Sequence, residues 1–249
     1  MKYFENFKRV NYTFGDEFEK TGGARRQIEF IQDVSQYVDI VDQVRQAAHF
    51  YNYYDILENE RPDQVSKTLY DTPIFHWTFW MMNDHIREQG WPLSHKQLQE
   101  RIETDHPHYY VYIAADISNF YLEGEILYGQ RSGVSGKILR RDLDHGIIYV
   151  DSSGPFQAGE AVAAASQPPN TAYFTVVSSG FEYNATHHYE NTAKEYVDID
   201  VTAPRPSIYN EVTIADRYRR QNDALKQIKV IKPENMAAIA SAYKKALKE

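Results

Sequence analysis

Tyr53–Ser94 reads YYDILENERPDQVSKTLYDTPIFHWTFWMMNDHIREQGWPLS and holds all three tryptophans of the chain, Trp77, Trp80 and Trp91. Its punctuation marks out a small folding unit. Pro62 suits the first helical position, where a missing N–H costs nothing, and Val65, Leu69 and Tyr70 then fall on one helical face. Asp71-Thr72-Pro73 restarts a helix, with Thr72 as N-cap and Pro73 behind it. Ile74, Trp77, Trp80 and Met81 line the second helix, which ends near Asn83-Asp84. Tyr51–Leu57 ahead of the pair reads as a strand, and Gly90-Trp91-Pro92 leads out. Helical spacing accounts for Trp77 and Trp80 as core cover between the helices, without a stacked sugar. Trp91 lies outside both helices and has no place in this pattern.

Upstream, residues 1–20 carry Tyr3, Phe4, Phe7, Tyr12, Phe14 and Phe18 with little helical regularity, as an extended aromatic arm would. Gly22-Gly23 breaks the chain, and the apolar run from Ile28 to Val41 fits a short strand or a helix. Downstream the texture turns to β: Tyr109–Ala114, Gly136–Asp142, Ile147–Asp151, Tyr173–Val177 and Tyr196–Val201 read as strands. Ala164–Asn170, with Pro168-Pro169, reads as a loop. Within this region Phe120-Tyr-Leu-Glu-Gly124-Glu125-Ile recurs, with a one-residue offset, as Phe156-Gln-Ala-Gly159-Glu160-Ala-Val, which suggests two related hairpins. Asn210 to about Ala224 reads as a polar helix and Gln227–Ile231 as a strand. Pro233 opens a last helix with Met236, Ile239, Ala240, Tyr243 and Leu247 on one stripe. These textures predict an α+β chain in four parts: residues 1–44 as arm and lead-in, 45–105 as the strand and helix-pair block, 106–209 as a β-rich insertion, and 210–249 as a helix-strand-helix ending.

Composition narrows the function classes. A net charge of −8 disfavours non-specific nucleic-acid binding, and the short basic clusters Arg25-Arg26, Arg140-Arg141 and Arg217–Arg220 sit among acids. The absence of cysteine removes disulfide scaffolds, thiolate metal sites and cysteine nucleophiles together. The opening MKYFENFKRV has no apolar core of a signal peptide, and no run approaches the roughly 18 residues of a membrane span. The sequons at Asn11 and Asn184 therefore carry little weight, and a protein made and kept in a cytoplasm, or assembled there into something larger, is expected. Twenty tyrosines are a surplus of the residue type favoured where proteins meet.

No stretch reads as a catalytic, metal or cofactor site. Gly129-Gln-Arg-Ser-Gly133-Val-Ser-Gly136-Lys137 lacks the glycine and the hydroxyl of a phosphate loop, with Arg131 and Ile138 at those places, and reads as a hairpin turn. His187-His188, with Glu190 near, is the best metal candidate, but neighbours on a strand point to opposite faces. Glu123 and Glu125 could be drawn as the acid and base of a glycosidase. Yet Glu125 and Glu160 recur at the same point of the repeat, which favours capping of a turn. No serine lies in a nucleophile context.

The order Tyr54-Asp55-Ile56, Arg61-Pro62-Asp63-Gln64, Leu69-Tyr70, Pro73, Trp77 and Asn83, closed by Trp91-Pro92-Leu93, resembles the baseplate wedge proteins of contractile-tailed phages (the gene-product-53 family). The ending Asn222-Asp-Ala-Leu225-Lys-Gln-Ile-Lys-Val-Ile231 with its terminal helix is similar to that family's ending, and His187-His188-Tyr189-Glu190-Asn191 resembles a segment of larger members. The resemblance spans about residues 45–95 and 210–249 and touches the middle loosely. It implies a LysM-like strand-helix-helix-strand core, a fold otherwise used on peptidoglycan, and a virion protein of the tail baseplate, assembled in the host cytoplasm. Its partners would be other wedge subunits and the sheath-initiating and hub proteins, with several copies around a symmetry axis. No cofactor, nucleic acid or membrane insertion is implied. Two features depart from the family pattern: Asp71 stands where glycine is common, and the β-rich region at about 109–165 is missing from compact members. Candidate docking residues are Tyr3, Phe4, Phe7, Tyr12 and Phe14 of the arm, with Tyr243 and Leu247 of the last helix. The alternative is a binder of peptidoglycan or chitin fragments, and a cell-wall hydrolase is a third class.

Overall fold

The computed structural model describes residues 44–164, 173–203 and 208–246, together with the backbone of two short strands, Arg9–Thr13 (β1) and Ile28–Gln32 (β2), which pair antiparallel. It is a mixed α+β chain. The residues fall into two compact units, Met1–Leu93 with Asp223–Glu249, and Ser94–Asn222. The second interrupts the first, and the divisions at 93/94 and 222/223 compare with expected boundaries at 105/106 and 209/210.

In the first unit, Tyr51–Asp55 (β3) pairs antiparallel with a strand from the far end of the chain, Gln227–Ile231 (β14). Pro62 begins the helix α1 (Pro62–Tyr70), whose first turn is closed by Arg61 N–H donating to Gln64 Oε1 at 2.9 Å. Asp71 ends it at φ 56°, in the left-handed region, which permits the sharp reversal into Thr72. Thr72 then caps a single 3-10 turn, Pro73–Phe75, and not the start of one long helix. The α-helices that follow, Trp77–Met82 (α2) and Asp84–Gln89 (α3), are parted by Asn83, whose extended backbone breaks the ladder. The last helix, Pro233–Ala246 (α6), buries Met236, Ile239, Ala240 and Tyr243.

Strand alternation sets the packing of this unit. Ile228 and Val230 of β14 join Ile56, Val65, Phe79, Ile86 and Leu225 in one apolar cluster. Ile231, of the opposite parity, joins Trp77, Met81, Met82, Met236, Ile239 and Tyr243 in another. Ile74, expected on the apolar stripe, is exposed, because the 3-10 turn rotates it away from the face that Trp77 presents.

The second unit holds a seven-stranded antiparallel sheet of Tyr109–Tyr112 (β4), Ile126–Gly129 (β5), Ser135–Asp142 (β6), Ile147–Ser152 (β7), Ala161–Ala163 (β8), Phe174–Thr175 (β9) and Ser178–Phe181 (β10). The order across it is β10-β4-β7-β6-β5-β8-β9. The two edge strands are consecutive in the chain. Val176 N–H donates to Glu160 O on one edge, and Val177 N–H to Tyr112 O on the other, both at 2.9 Å. One continuous segment thus stitches both edges, and the sheet closes into a barrel that leaves neither edge open. Val111, Ile113, Leu127, Ile138, Ile148, Val150, Val162 and Val176 fill it.

On β4 and β7 the alternate residues Tyr112, Ile147 and Tyr149 point outward and are covered by Ala185 and Ile214, so these strands are apolar on both faces. Helix α4 (His95–Asp105) starts at a capping box of Ser94 and Gln97 and buries Leu98 and Ile102 on Ala215. The segment expected to be one polar helix from Asn210 is instead a strand, Asn210–Thr213 (β13), followed by the helix α5 (Ile214–Ala224). β13 pairs with Thr186–Glu190 (β11), which also pairs with Tyr196–Val197 (β12). Thr213 starts the helix, its Oγ1 accepting from Asp216 N–H at 3.1 Å. The strand expected over Tyr196–Val201 stops at Val197, where pairing with β11 ends.

Candidate functional site

Of the residues that carry the family-like order, Tyr54–Leu93 and Asp223–Ile231 lie in the first unit, where several form latches. Asn83 is buried, and its side-chain amide faces the free edge of β14: Nδ2 donates to Lys229 O at 2.8 Å and to Phe79 O at 2.8 Å, while Oδ1 accepts from Lys229 N–H at 2.7 Å. The amide takes the place a peptide group of a third strand would occupy. Tyr70 O–H donates to Ile231 O at 2.8 Å, tying α1 to the same strand. Tyr54 O–H donates to the Glu60 carboxylate, and burial together with that bond pushes the phenol up to about 12. Trp91, without a place in the sequence pattern, donates from Nε1 to Glu60 O at 2.8 Å and packs its ring on Phe79 and Trp80. Trp77 is buried, and Trp80 and Trp91 are half-buried with centroids 5.6 Å apart, so no open ring platform stands here.

Of the candidate docking residues, Tyr3, Phe4, Phe7, Phe14 and Leu247 lie outside the described residues, and Tyr12 lies in β1, where the backbone alone is described. Tyr243 is placed in the core of its unit, 5% exposed, with its ring stacked on Trp77 at 5.2 Å.

The second unit presents aromatic surface that the sequence reading missed. Phe181, 47% exposed, lies between Tyr109 at 5.1 Å and Tyr183 at 5.4 Å, all three rings nearly parallel. On the outer face of β5, Ile126 and Tyr128 stand 55% and 49% exposed opposite Lys137 and Ser135 of β6. The available signal was that both phases of Ile126-Leu-Tyr are apolar, which puts one apolar set outside whichever set faces in. Exposed tyrosine and phenylalanine in contact with one another are suited to protein contact.

The other sequence candidates find structural places. Gln130–Val134 forms the β5–β6 turn. Glu160 accepts from the backbone N–H groups of Arg131 at 3.0 Å, Ser132 at 2.8 Å and Gln157, and Glu125 accepts from Leu122 N–H at 3.0 Å, so both cap turns. His187 and His188 do meet, with Nδ1 atoms 2.8 Å apart, because β11 is irregular between Thr186 and His188 and strict alternation fails there. His188 Nε2 bonds Glu190 Oε1 at 3.0 Å, Arg220 donates to the same oxygen, and Arg217 donates to His187 Nε2 at 2.8 Å. Among the described residues no group of three or more His, Asp or Glu side chains is arranged to hold a metal ion. No described helix is long and apolar enough to cross a membrane. No protein-family profile and no curated protein sequence matches this chain.

Proposed function

We propose that this chain is a non-enzymatic structural subunit of the baseplate wedge of a contractile phage tail, present in several copies and acting by docking neighbouring wedge, sheath-initiating and hub proteins. The observation that carries the reading is the ordered motif set from Tyr54 to Leu93, continued at Asn222–Ile231. Its members Tyr54, Tyr70, Asn83 and Trp91 tie α1, α2 and the Glu60 turn to the paired strands β3 and β14. A sequence signature made of latches supports a scaffold role, and we read that scaffold as LysM-like. Docking then falls to the aromatic arm and to exposed aromatic surface such as Phe181, flanked by the half-buried Tyr109 and Tyr183.

The test is co-expression of the tagged chain with the proteins encoded beside it, followed by mass spectrometry of any tail particles purified. The chain is expected in the particles in a fixed stoichiometry. Deleting residues 1–18, or Phe181→Ala, is expected to weaken co-purification by roughly 30-fold for an anchor worth ~2 kcal/mol. Absence of the chain from intact particles ends the reading. A saturable shift of tryptophan emission with peptidoglycan or chitin fragments would replace it with glycan binding.

A further inference from the structure

A cavity of about 410 Å³ lies within the unit Ser94–Asn222, walled by Arg140 and Tyr149 of the barrel, His187 of β11, and Arg217 and Tyr218 of α5. Its two guanidinium groups are differently engaged. Arg140 lies 3.4 Å over the Tyr149 ring and donates to Glu182 at 3.0 Å, so its charge is matched. Arg217 has no carboxylate partner among the described residues, and its partner is the bare ring nitrogen of His187. The neighbouring arginines of the same helix, Arg219 and Arg220, pair with Asp216 and Glu190.

That contact fixes every proton along the row. Arginine only donates, so His187 Nε2 carries no hydrogen, and the neutral ring then holds its proton on Nδ1. His187 Nδ1–H donates to His188 Nδ1, which places the His188 proton on Nε2, where it meets Glu190. Both imidazoles are therefore neutral, and one more proton has no acceptor to face. A proton on His187 Nε2 would set N–H against N–H at Arg217.

We propose that the cavity is a proton-linked oxyanion site, which takes a carboxylate or a tetrahedral phosphate-like group on Arg217 while His187 gains one proton from solvent on Nε2. The exchange is local. The oxyanion replaces the imidazole lone pair as acceptor for Arg217, a stronger charge-assisted bond, and the new Nε2–H becomes a second donor to it. His187 Nδ1–H keeps its bond to His188, so the rest of the row is undisturbed.

The groups around His187 fit this role. Burial, then Arg217 and then His188, hold its pKa below the ordinary imidazole value, which keeps it neutral until an anion arrives. Asp142, on the cavity wall, would oppose an anion, but both its oxygens face His145, ring Nδ1 at 2.9 Å and backbone N–H at 3.2 Å. His106 on the same wall bonds Glu182 at 3.1 Å, and Tyr218 O–H bonds Asp105 at 3.1 Å. Beyond His188, Glu190 is answered by Arg220, and Tyr196 covers the His188 ring at 4.0 Å.

The experiment is a titration of the full chain by long-range ¹H–¹⁵N correlation of the histidine rings, from about pH 5.5 to 8.5, where imidazoles change charge. Sulfate and acetate are added in parallel against chloride at equal ionic strength, sulfate serving because its charge is constant over this range. Without added anion the expected state is His187 protonated on Nδ1 and His188 on Nε2. Sulfate or acetate should raise the His187 pKa, and anion affinity should fall about tenfold per pH unit above that pKa, the slope of one linked proton. Sulfate alone acting identifies a phosphate-like ligand, and acetate alone a carboxylate. Arg217→Gln should abolish the shift, whereas Arg140→Gln should weaken binding and leave the proton linkage. An equal shift in chloride, a shift surviving Arg217→Gln, or no response to either anion overturns the proposal.

Discussion

Asn83→Ala tests whether a single side chain holds the closing strand of the first unit. The substitution removes three hydrogen bonds at 2.7–2.8 Å and leaves both the N–H and the C=O of Lys229 without their partner. A buried backbone group stripped of its partner costs about 1–3 kcal/mol, and water reaching the edge of β14 recovers part of that, so a loss of roughly 2–4 kcal/mol is expected. With a urea m-value of about 2 kcal/mol/M for a small unit, the midpoint should fall by ~1–2 M at unchanged slope. Tryptophan emission is the natural assay, because Trp77, Trp80 and Trp91 all belong to this unit and report it alone. Asn83→Asp keeps the acceptor for Lys229 N–H but sets a buried carboxylate oxygen against the carbonyls of Phe79 and Lys229, and at neutral pH should cost at least as much as alanine. A midpoint change below about 0.3 M for the alanine variant would refute the latch, since it would equal an ordinary surface substitution.

Asp71→Gly should stabilise the same unit by about 0.5–1 kcal/mol, because Asp71 holds φ 56° and glycine enters that region without steric cost; no gain on thermal melting would count against strain at this turn. Glu160→Ala should destabilise the barrel by roughly 2–4 kcal/mol, as it strips three backbone N–H groups of one acceptor, and calorimetry of the full chain reads it. Burial works to raise the Glu160 carboxyl, but the bonds from Ser132, Gln157 and Arg131 outweigh it and its folded pKa lies below the ordinary 4.5. Its contribution is therefore full above the unfolded pKa and is lost as pH falls through the lower folded value. The acid sensitivity of barrel melting should shrink in Glu160→Gln, and an unchanged pH profile would show the carboxylate to be idle.

What was legible in the sequence was local. Pro62, Thr72 and Pro233 marked element starts because each acts within one turn, and β7 was readable because Ile147–Val150 is apolar throughout. What escaped depends on partners distant in sequence. Trp91 could not be placed because its anchor is a loop carbonyl at Glu60, and β13 was absorbed into a helix because its partner β11 precedes it by a long interval. Two signals were present and unread: Ser94 with Gln97, and Thr213 with Asp216, both boxes that open helices. The two histidine rings meet, against the expected opposite faces, for a different reason. Alternation is a rule for regular strands, and the irregular pairing of β11 that brings the two rings together leaves no mark in His187-His188 itself.

The internal repeat turns out to be geometric, and its offset has a physical resolution. Aligned on the glycines, Tyr121 matches Phe156, and both are buried in the barrel. Leu127 then matches Val162, again inside; Ile138 and Val176 are not aligned by the same spacing, but both lie inside as well. The backbone repeats as well: Gly124 N–H donates to Ile138 O and Gly159 N–H to Val176 O, each at 2.8 Å, while Ile138 and Val176 return bonds to the carbonyls of Glu125 and Glu160. Both glycines hold left-handed conformations, φ 89° and 78°, with open space where a Cβ would stand. An alanine at either place therefore meets backbone strain and no clash, and the strain should be nearly equal at the two, about 1–2 kcal/mol. If these are one turn built twice, Gly124→Ala and Gly159→Ala should lower the barrel's calorimetric melting temperature by the same few degrees, and the double variant by their sum. Unequal losses, differing by more than about 1 kcal/mol, would mean that the two turns carry different loads and that the sequence likeness is a coincidence of glycine and glutamate.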